Sequence, residues 1–168
     1  MDQTLTDDLK LALEIAKKAN QQSMKRFRAL DLEITSKPDR SPVTDADRSV
    51  ETIIRDELAK ARPDDSIIGE EFGTSGDSDR VWIIDPIDGT ANFLRGVPVW
   101  ATLIGLRVNG EYVMGVVSAP AMNRSWWAAK GQGAFTEDVD ATVREINVSK
   151  VEKLTDASFS FSSIELWQ

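Results

Sequence analysis

Leu5, Leu9, Leu13, Ala16, Met24 and Phe27 recur at helical spacing and predict a first helix over residues 4–30, with Thr4 and Asp7 spaced as a capping box. Residues 32–35 alternate like a short half-exposed strand, and a polar loop carrying Pro38 and Pro42 follows over residues 36–42. Val50, Ile54 and Leu58, with Ile53 beside them, form the apolar face of a second helix that starts near Thr44 and ends before Pro63. Thr44 and Asp47 fit a capping box, and the acidic first turn complements the helix dipole.

The pattern then turns strand-like. Ser66-Ile67-Ile68 predicts a short strand that runs into Gly69-Glu70-Glu71-Phe72-Gly73, and residues 74–79 read as a connecting loop. The fully apolar run Val81-Trp82-Ile83-Ile84 predicts a buried strand. Strands over residues 99–108 and 111–119 flank Asn109-Gly110, a strong hairpin signal, and Pro120-Ala121-Met122-Asn123 turns the chain into a further strand over 124–129. This is an antiparallel meander. Gly105 and Gly115 predict bulges or a close approach to covering helices, and Trp126 and Trp127 read as sheet packing. Gly131-Gln132-Gly133 reads as a turn, residues 142–148 as a strand and residues 157–163 as another; the chain has no internal repeat.

Composition narrows the chemistry. The chain has 168 residues with 41% hydrophobic content, enough for a single domain over 1–168 with its own core. A net charge of −8 argues against nucleic acid or an anionic membrane as partner. With no cysteine and no histidine, disulfides, thiolate metal sites and histidine bases are excluded, which leaves carboxylates, hydroxyls, backbone and oxygen-bound metal. No apolar run reaches a membrane span of about 20 residues, and the acidic start lacks a signal-peptide core, so a cytoplasmic location is expected.

The chemistry concentrates in Asp85-Pro86-Ile87-Asp88-Gly89-Thr90, where the apolar strand ends. Asp85 and Asp88 offer hard oxygen ligands suited to Mg²⁺, and the helix-like segment opened by Gly89-Thr90 offers free amides to an anion. The same residues also fit ordinary Asp-Pro and Asp-Gly turns whose carboxylates cap the helix.

The hexad after a tryptophan-bearing strand resembles the signature of the inositol monophosphatase family, the Mg²⁺-dependent phosphomonoesterases of the lithium-sensitive phosphatase superfamily. The run Asn92-Phe93-Leu94-Arg95-Gly96-Val97-Pro98-Val99-Trp100-Ala101 is similar to the bacterial histidinol-phosphatase branch. The resemblance implies a layered α/β fold, with N-terminal helices on a large antiparallel sheet. It also implies hydrolysis of a small phosphate monoester, L-histidinol phosphate first and inositol phosphate next, with two or three Mg²⁺ ions (Mn²⁺ as substitute) and a homodimer at full length. By the same resemblance Glu70, Asp85 and the carbonyl of Ile87 hold the first cation, and Asp85 with Asp88 begins a second site. Glu71 lies near the water network. Asp47 and Thr90 act on the attacking water, while Asp88 and the Gly89 and Thr90 amides hold the phosphate.

The resemblance runs from the first helix to about Ser163. Relatives continue into a second α/β portion bearing another metal aspartate, whose motif does not occur here, so the chain is expected to be an N-terminal part. An exposed apolar sheet edge or helix face would then invite self-association. A non-catalytic remnant that acts through association is the competing expectation.

Overall fold

The computed structural model describes residues 3–36, 42–158 and 160. Helix α1 (Gln3–Arg26) begins one residue before Thr4, so Thr4 lies inside the helix and is not its cap. It also ends earlier than predicted, as the chain enters the left-handed region at Arg28 (φ 64°). Its buried face is Asp8, Ala12, Ile15, Ala16, Ala19 and Ser23. Small residues let α1 approach the sheet closely, the leucines pack at the margins of the core, and Met24, predicted on the buried face, is 41% exposed.

Strand β1 (Ile34–Ser36) pairs antiparallel with β2 (Pro42–Thr44), which the sequence pattern assigned to the loop and helix entry; residues 37–41 lie outside the described part. Helix α2 (Asp45–Ala61) starts at the capping box: the Thr44 hydroxyl accepts from the Asp47 amide, and the Asp47 side chain accepts from the Thr44 amide. Val50, Ile54 and Leu58 are buried from it.

An eight-stranded sheet carries both helices on one face: β3 (Ser66–Gly69), β4 (Gly73–Ser75), β5 (Arg80–Asp88), β6 (Ala101–Val108), β7 (Glu111–Ala119), β8 (Arg124–Ala129), β9 (Gly133–Glu137) and β10 (Val143–Ile146). The spatial order is β10-β9-β8-β7-β6-β5-β3-β4. All neighbours are antiparallel except β3 and β5, which run parallel. Two strands of this sheet were not predicted. β4 falls in the expected loop, and β9 grows out of the Gly131-Gln132-Gly133 turn. Ala157, Ser158 and Ser160 are in no strand, and the rest of the predicted strand over 157–163 lies outside the described residues.

Asn109 and Gly110 both have positive φ (51° and 83°), the two-residue hairpin geometry that matches strand twist. Gly105 and Gly115 sit directly opposite one another in unbroken register, and the ladder shifts one residue later, between Leu106 and Arg107. A Cβ on Gly115 would meet nothing within 4 Å, so neither glycine marks a bulge or a helix contact. Trp127 packs against the main core and stacks on Phe135 at 6.1 Å, while Trp126 faces the Arg124 guanidinium.

The main core joins Ile15, Ile54, Leu58, Trp82, Ile84, Ile104 and Leu106 between the helices and the sheet. A second cluster gathers Ala46, Ile87, Phe93 and Trp100, with Phe27 against it. Its rings meet at 4.9–5.5 Å and hold the short helix α3 (Thr90–Leu94) under the end of α1. This second core is what positions the site.

Candidate active site

The sheet register brings the carboxylates together. Parallel pairing sets Gly69 opposite Ile84, and the Glu70 amide donates to the Ile84 carbonyl at 3.2 Å, which carries Glu70 to the side of Asp85. On the other side, the β5–β6 register slips between Asp85 and Asp88. Pro86 lacks a ladder donor there, and the extra residue lets two carboxylates three positions apart act on one another. The Thr102 hydroxyl donates to the Pro86 carbonyl at 2.9 Å and holds the irregular turn in place.

Crowding shows in the electrostatics. The Asp85 carboxyl is pushed up to about 8, first by burial, then by its hydrogen bond to Glu70 and the charges of Glu70 and Asp88; a backbone hydrogen bond at Ile87 opposes the shift. Asp85 Oδ1 is buried without a hydrogen-bond partner. A buried carboxylate oxygen left without a donor, beside two further carboxylates, fits a hard divalent cation. Among the described residues no three Asp, Glu, His or Cys side chains close into a preformed cage. A cation held by Glu70, Asp85 and Asp88 would therefore also take carbonyl or water ligands, as Mg²⁺ does.

Gly89 begins α3 in the left-handed conformation (φ 87°), and a Cβ there would lie 3.2 Å from the Val99 carbonyl. This turn aims Thr90 at α2. The Thr90 hydroxyl lies 3.1 Å from Asp47 Oδ1 and 3.1 Å from the Ile87 carbonyl, and its single proton can serve one of them at a time. Asp47 Oδ2 accepts from the Thr44 amide at 2.8 Å and the Thr44 hydroxyl at 2.5 Å. Burial raises the Asp47 carboxyl above its ordinary value against the lowering effect of these hydrogen bonds, so its free oxygen edge is more basic than that of a surface carboxylate. The cap and the Thr90 contact thus use opposite oxygens of one side chain.

The predicted residues therefore fall into two adjoining groups, Asp47 with Thr90, and Glu70 with Asp85 and Asp88, joined through Ile87. The Glu71 backbone amide is tied to Glu51 on α2. Glu51 and Arg55 stand in no motif that the sequence displays. The available signal was a glutamate one turn after Asp47 on a helix face otherwise apolar. A cavity of about 430 Å³ bounded by Leu13, Lys17, Asn20, Arg124 and Glu137 lies between α1 and the far strands and contains none of these groups. Among the described residues no helix is long and apolar enough to cross a membrane.

The pattern of the inositol monophosphatase family matches residues 4–166. The chain is 51% identical over 166 residues to the histidinol-phosphatase of Streptomyces coelicolor and 54% identical over 162 residues to that of Mycobacterium tuberculosis. Each match covers 96% of this chain and 62% of the relative, so the chain spans about three-fifths of their length. An inositol-1-monophosphatase of Mesorhizobium japonicum is 38% identical over 151 residues, covering 88% of this chain and 55% of that protein. Among solved structures, the extragenic suppressor protein suhB of Bartonella henselae superposes with a TM-score of 0.80 at 34% identity, over 88% of this chain and 57% of that one. An IMPase of Thermotoga maritima gives 0.78 at 36% identity, over 86% and 54%. With the layered α/β fold, the carboxylates at the end of β5 and a family match over nearly the whole length, the chain belongs to the inositol monophosphatase family.

Proposed function

We propose that this chain carries the water-activating and cation-binding half of a phosphomonoesterase site, with L-histidinol phosphate as substrate and Mg²⁺ as the cation. The observation that carries the chemistry is the Thr90–Asp47 contact set beside the crowded carboxylates of Glu70, Asp85 and Asp88. The substrate choice is supported by the 51% and 54% identities to histidinol-phosphatases against 38% to an inositol-1-monophosphatase.

Glu70, Asp85, Asp88 and the Ile87 carbonyl are the groups that would hold the cation. When bound, a divalent cation supplies Lewis acidity that lowers the pKa of water and neutralises phosphate charge. The Thr90 hydroxyl receives the proton of the attacking water as it gives its own to Asp47 Oδ1, whose buried setting makes it a better base than a surface carboxylate. The water oxygen forms a bond to phosphorus, the ester P–O bond breaks with its electron pair moving to the alcohol oxygen, and that oxygen takes a proton from solvent as Asp47 returns its own to solvent. The amides of Gly89 and Thr90 hold phosphate oxygens by direct hydrogen bonds, since α3 is too short to contribute much dipole.

Phosphate release from both esters over a Mg²⁺ series tests the reading. The expected result is a higher kcat/KM for histidinol phosphate, and loss of the Mg²⁺ dependence in Glu70→Gln and Asp85→Asn. Equal turnover of the two esters refutes the substrate assignment, and unchanged Mg²⁺ dependence in both variants refutes the ligands.

A further inference from the structure

Glu51 stands one helical turn after Asp47, so α2 presents both carboxylates from one face, and both are buried. A buried carboxylate persists only when donors satisfy it. Glu51 has three. Its Oε2 accepts from the Glu71 amide at 2.7 Å, and its Oε1 from the Phe72 amide at 3.2 Å and from Arg55 Nε at 2.8 Å. The two amides are those of the residues that follow Glu70. Arg55 reaches across the same turn, donating to the Gly73 carbonyl and to the Ser75 hydroxyl at 3.1 Å. The three-residue turn between β3 and β4 is thereby held from α2 on both sides, while the Glu70 amide is fixed to Ile84 on β5.

Gly69 gives independent support. Its φ is not in the left-handed region, so the glycine is not needed for conformation. A Cβ there would lie 1.9 Å from Glu51 Oε1 and 2.7 Å from an Arg55 nitrogen. The chain has no side chain at this position because the Glu51–Arg55 pair occupies that space.

We infer that Glu51, braced by Arg55, is a positioning residue that sets the Glu70 carboxylate against Asp85 and so tunes the divalent-cation site. The inference rests on the proposed ligand role of Glu70. It makes α2 the common support of both halves of the site, with Asp47 on the water and Glu51 behind the cation ligand.

The test uses the 168-residue chain and Mn²⁺, with free ion counted by electron paramagnetic resonance, so that no turnover is needed. Glu51→Gln keeps the shape but replaces one acceptor oxygen with a donor, and should weaken Mn²⁺ binding about 10–100-fold, the usual cost of losing an outer-shell partner. Added to Glu70→Gln, it should cost less than about 2-fold more, because its effect passes through Glu70. Asp8→Asn, another buried acid, should lower stability and leave Mn²⁺ affinity unchanged. Should Glu51→Gln fold poorly, Arg55→Lys keeps the charge, loses the fork and should weaken Mn²⁺ several-fold. A Glu51→Gln affinity within about 2-fold of wild type, or a full effect persisting in Glu70→Gln, overturns the inference. Without metal, amide exchange at Glu71 and Phe72 should speed up in Glu51→Gln, and unchanged exchange overturns the clamp itself. Absence of Mn²⁺ binding in the wild type together with the faster exchange refutes the cation-site reading and leaves the clamp as a fold element only.

Discussion

The division of labour between the two oxygens of Asp47 makes the residue testable. Asn at position 47 has one acceptor oxygen, so it can accept at the Thr44 cap or accept the Thr90 proton but not both. Asp47→Asn should lower kcat for phosphate release by roughly 10²–10⁴-fold, the range for removing a general base. Its stability loss should be about 1 kcal/mol, the scale of one cap hydrogen bond. Thr90→Ser should retain most of the rate and Thr90→Val should not. Full activity in Asp47→Asn would leave only the capping role. At this scale much was legible: Asp47, Glu70, Asp85, Asp88 and Thr90 stand in recognisable short motifs, and the structure brings them to one place. Glu51 and Asp8 were not legible, because a charged residue on a helix reads as a solvated position until its donors are known. Those donors are remote in sequence, 20 and 21 residues away for the Glu51 amide contacts and 54 and 72 for the arginines of Asp8.

At the scale of elements, a small set of charges ties helices to strands. Asp8 on α1 accepts from Arg62 Nε at the end of α2 and from an Arg80 nitrogen at the start of β5, each at 2.8 Å. Arg80 also donates to Asp65, which accepts from the Trp82 indole at 2.8 Å. Asp8→Ala should destabilise the chain by about 3 kcal/mol in denaturant melts, the low end for breaking a buried pair because the two arginines are 29% and 30% exposed. A loss below about 1 kcal/mol would show the network to be dispensable. The far edge of the sheet depends on Asp138, which lies between Arg124 of β8 and Arg144 of β10. Arg144 first and Arg124 second hold its carboxyl below the ordinary value. A depressed carboxyl stabilises the folded chain above the unfolded pKa, near 4, and the contribution is lost as pH falls through the lower folded value. The difference in urea midpoint between wild type and Asp138→Asn should therefore be present at pH 6 and shrink toward pH 3; a gap independent of pH would mean that packing, not charge, holds β10. Helix α2 and the β6–β7 hairpin were readable, since a cap and an Asn-Gly turn are local signals. Strands β2, β4 and β9 were not, because three to five residues are too few to set a period and only the partner strand defines them.

For the whole molecule, the antiparallel run from β5 to β10 follows chain order, and its part from β6 to β8 was legible as a meander. The parallel β3–β5 pair was not, since periodicity identifies a strand but not its partner, and β4 intervenes in sequence while lying outside β3 in space. Yet that pair creates the site, because it sets Glu70 beside Asp85. In a chain with 28 acidic and 20 basic residues, this point crowds carboxylates that folding cannot separate, so without metal the Asp85 carboxyl keeps a proton at neutral pH that the unfolded chain gives up. The metal-free chain is therefore strained by the arrangement that would bind a cation. Asp85→Asn mimics the protonated carboxyl at little change in shape, removes that cost of folding and should raise the melting temperature measured in EDTA at neutral pH. Mg²⁺ at about 100 times its Kd should stabilise the wild type by about 2.7 kcal/mol through mass action, a shift of about 5–10 °C for a chain of this size. In Asp85→Asn that shift should largely vanish, so the two melting curves cross over as Mg²⁺ is added. A wild type indifferent to Mg²⁺, or a variant that responds equally, would mean that the carboxylates at the end of β5 are not the ligands. A variant less stable in EDTA would mean that the Asp85 carboxyl is held by hydrogen bonds stronger than the repulsion around it.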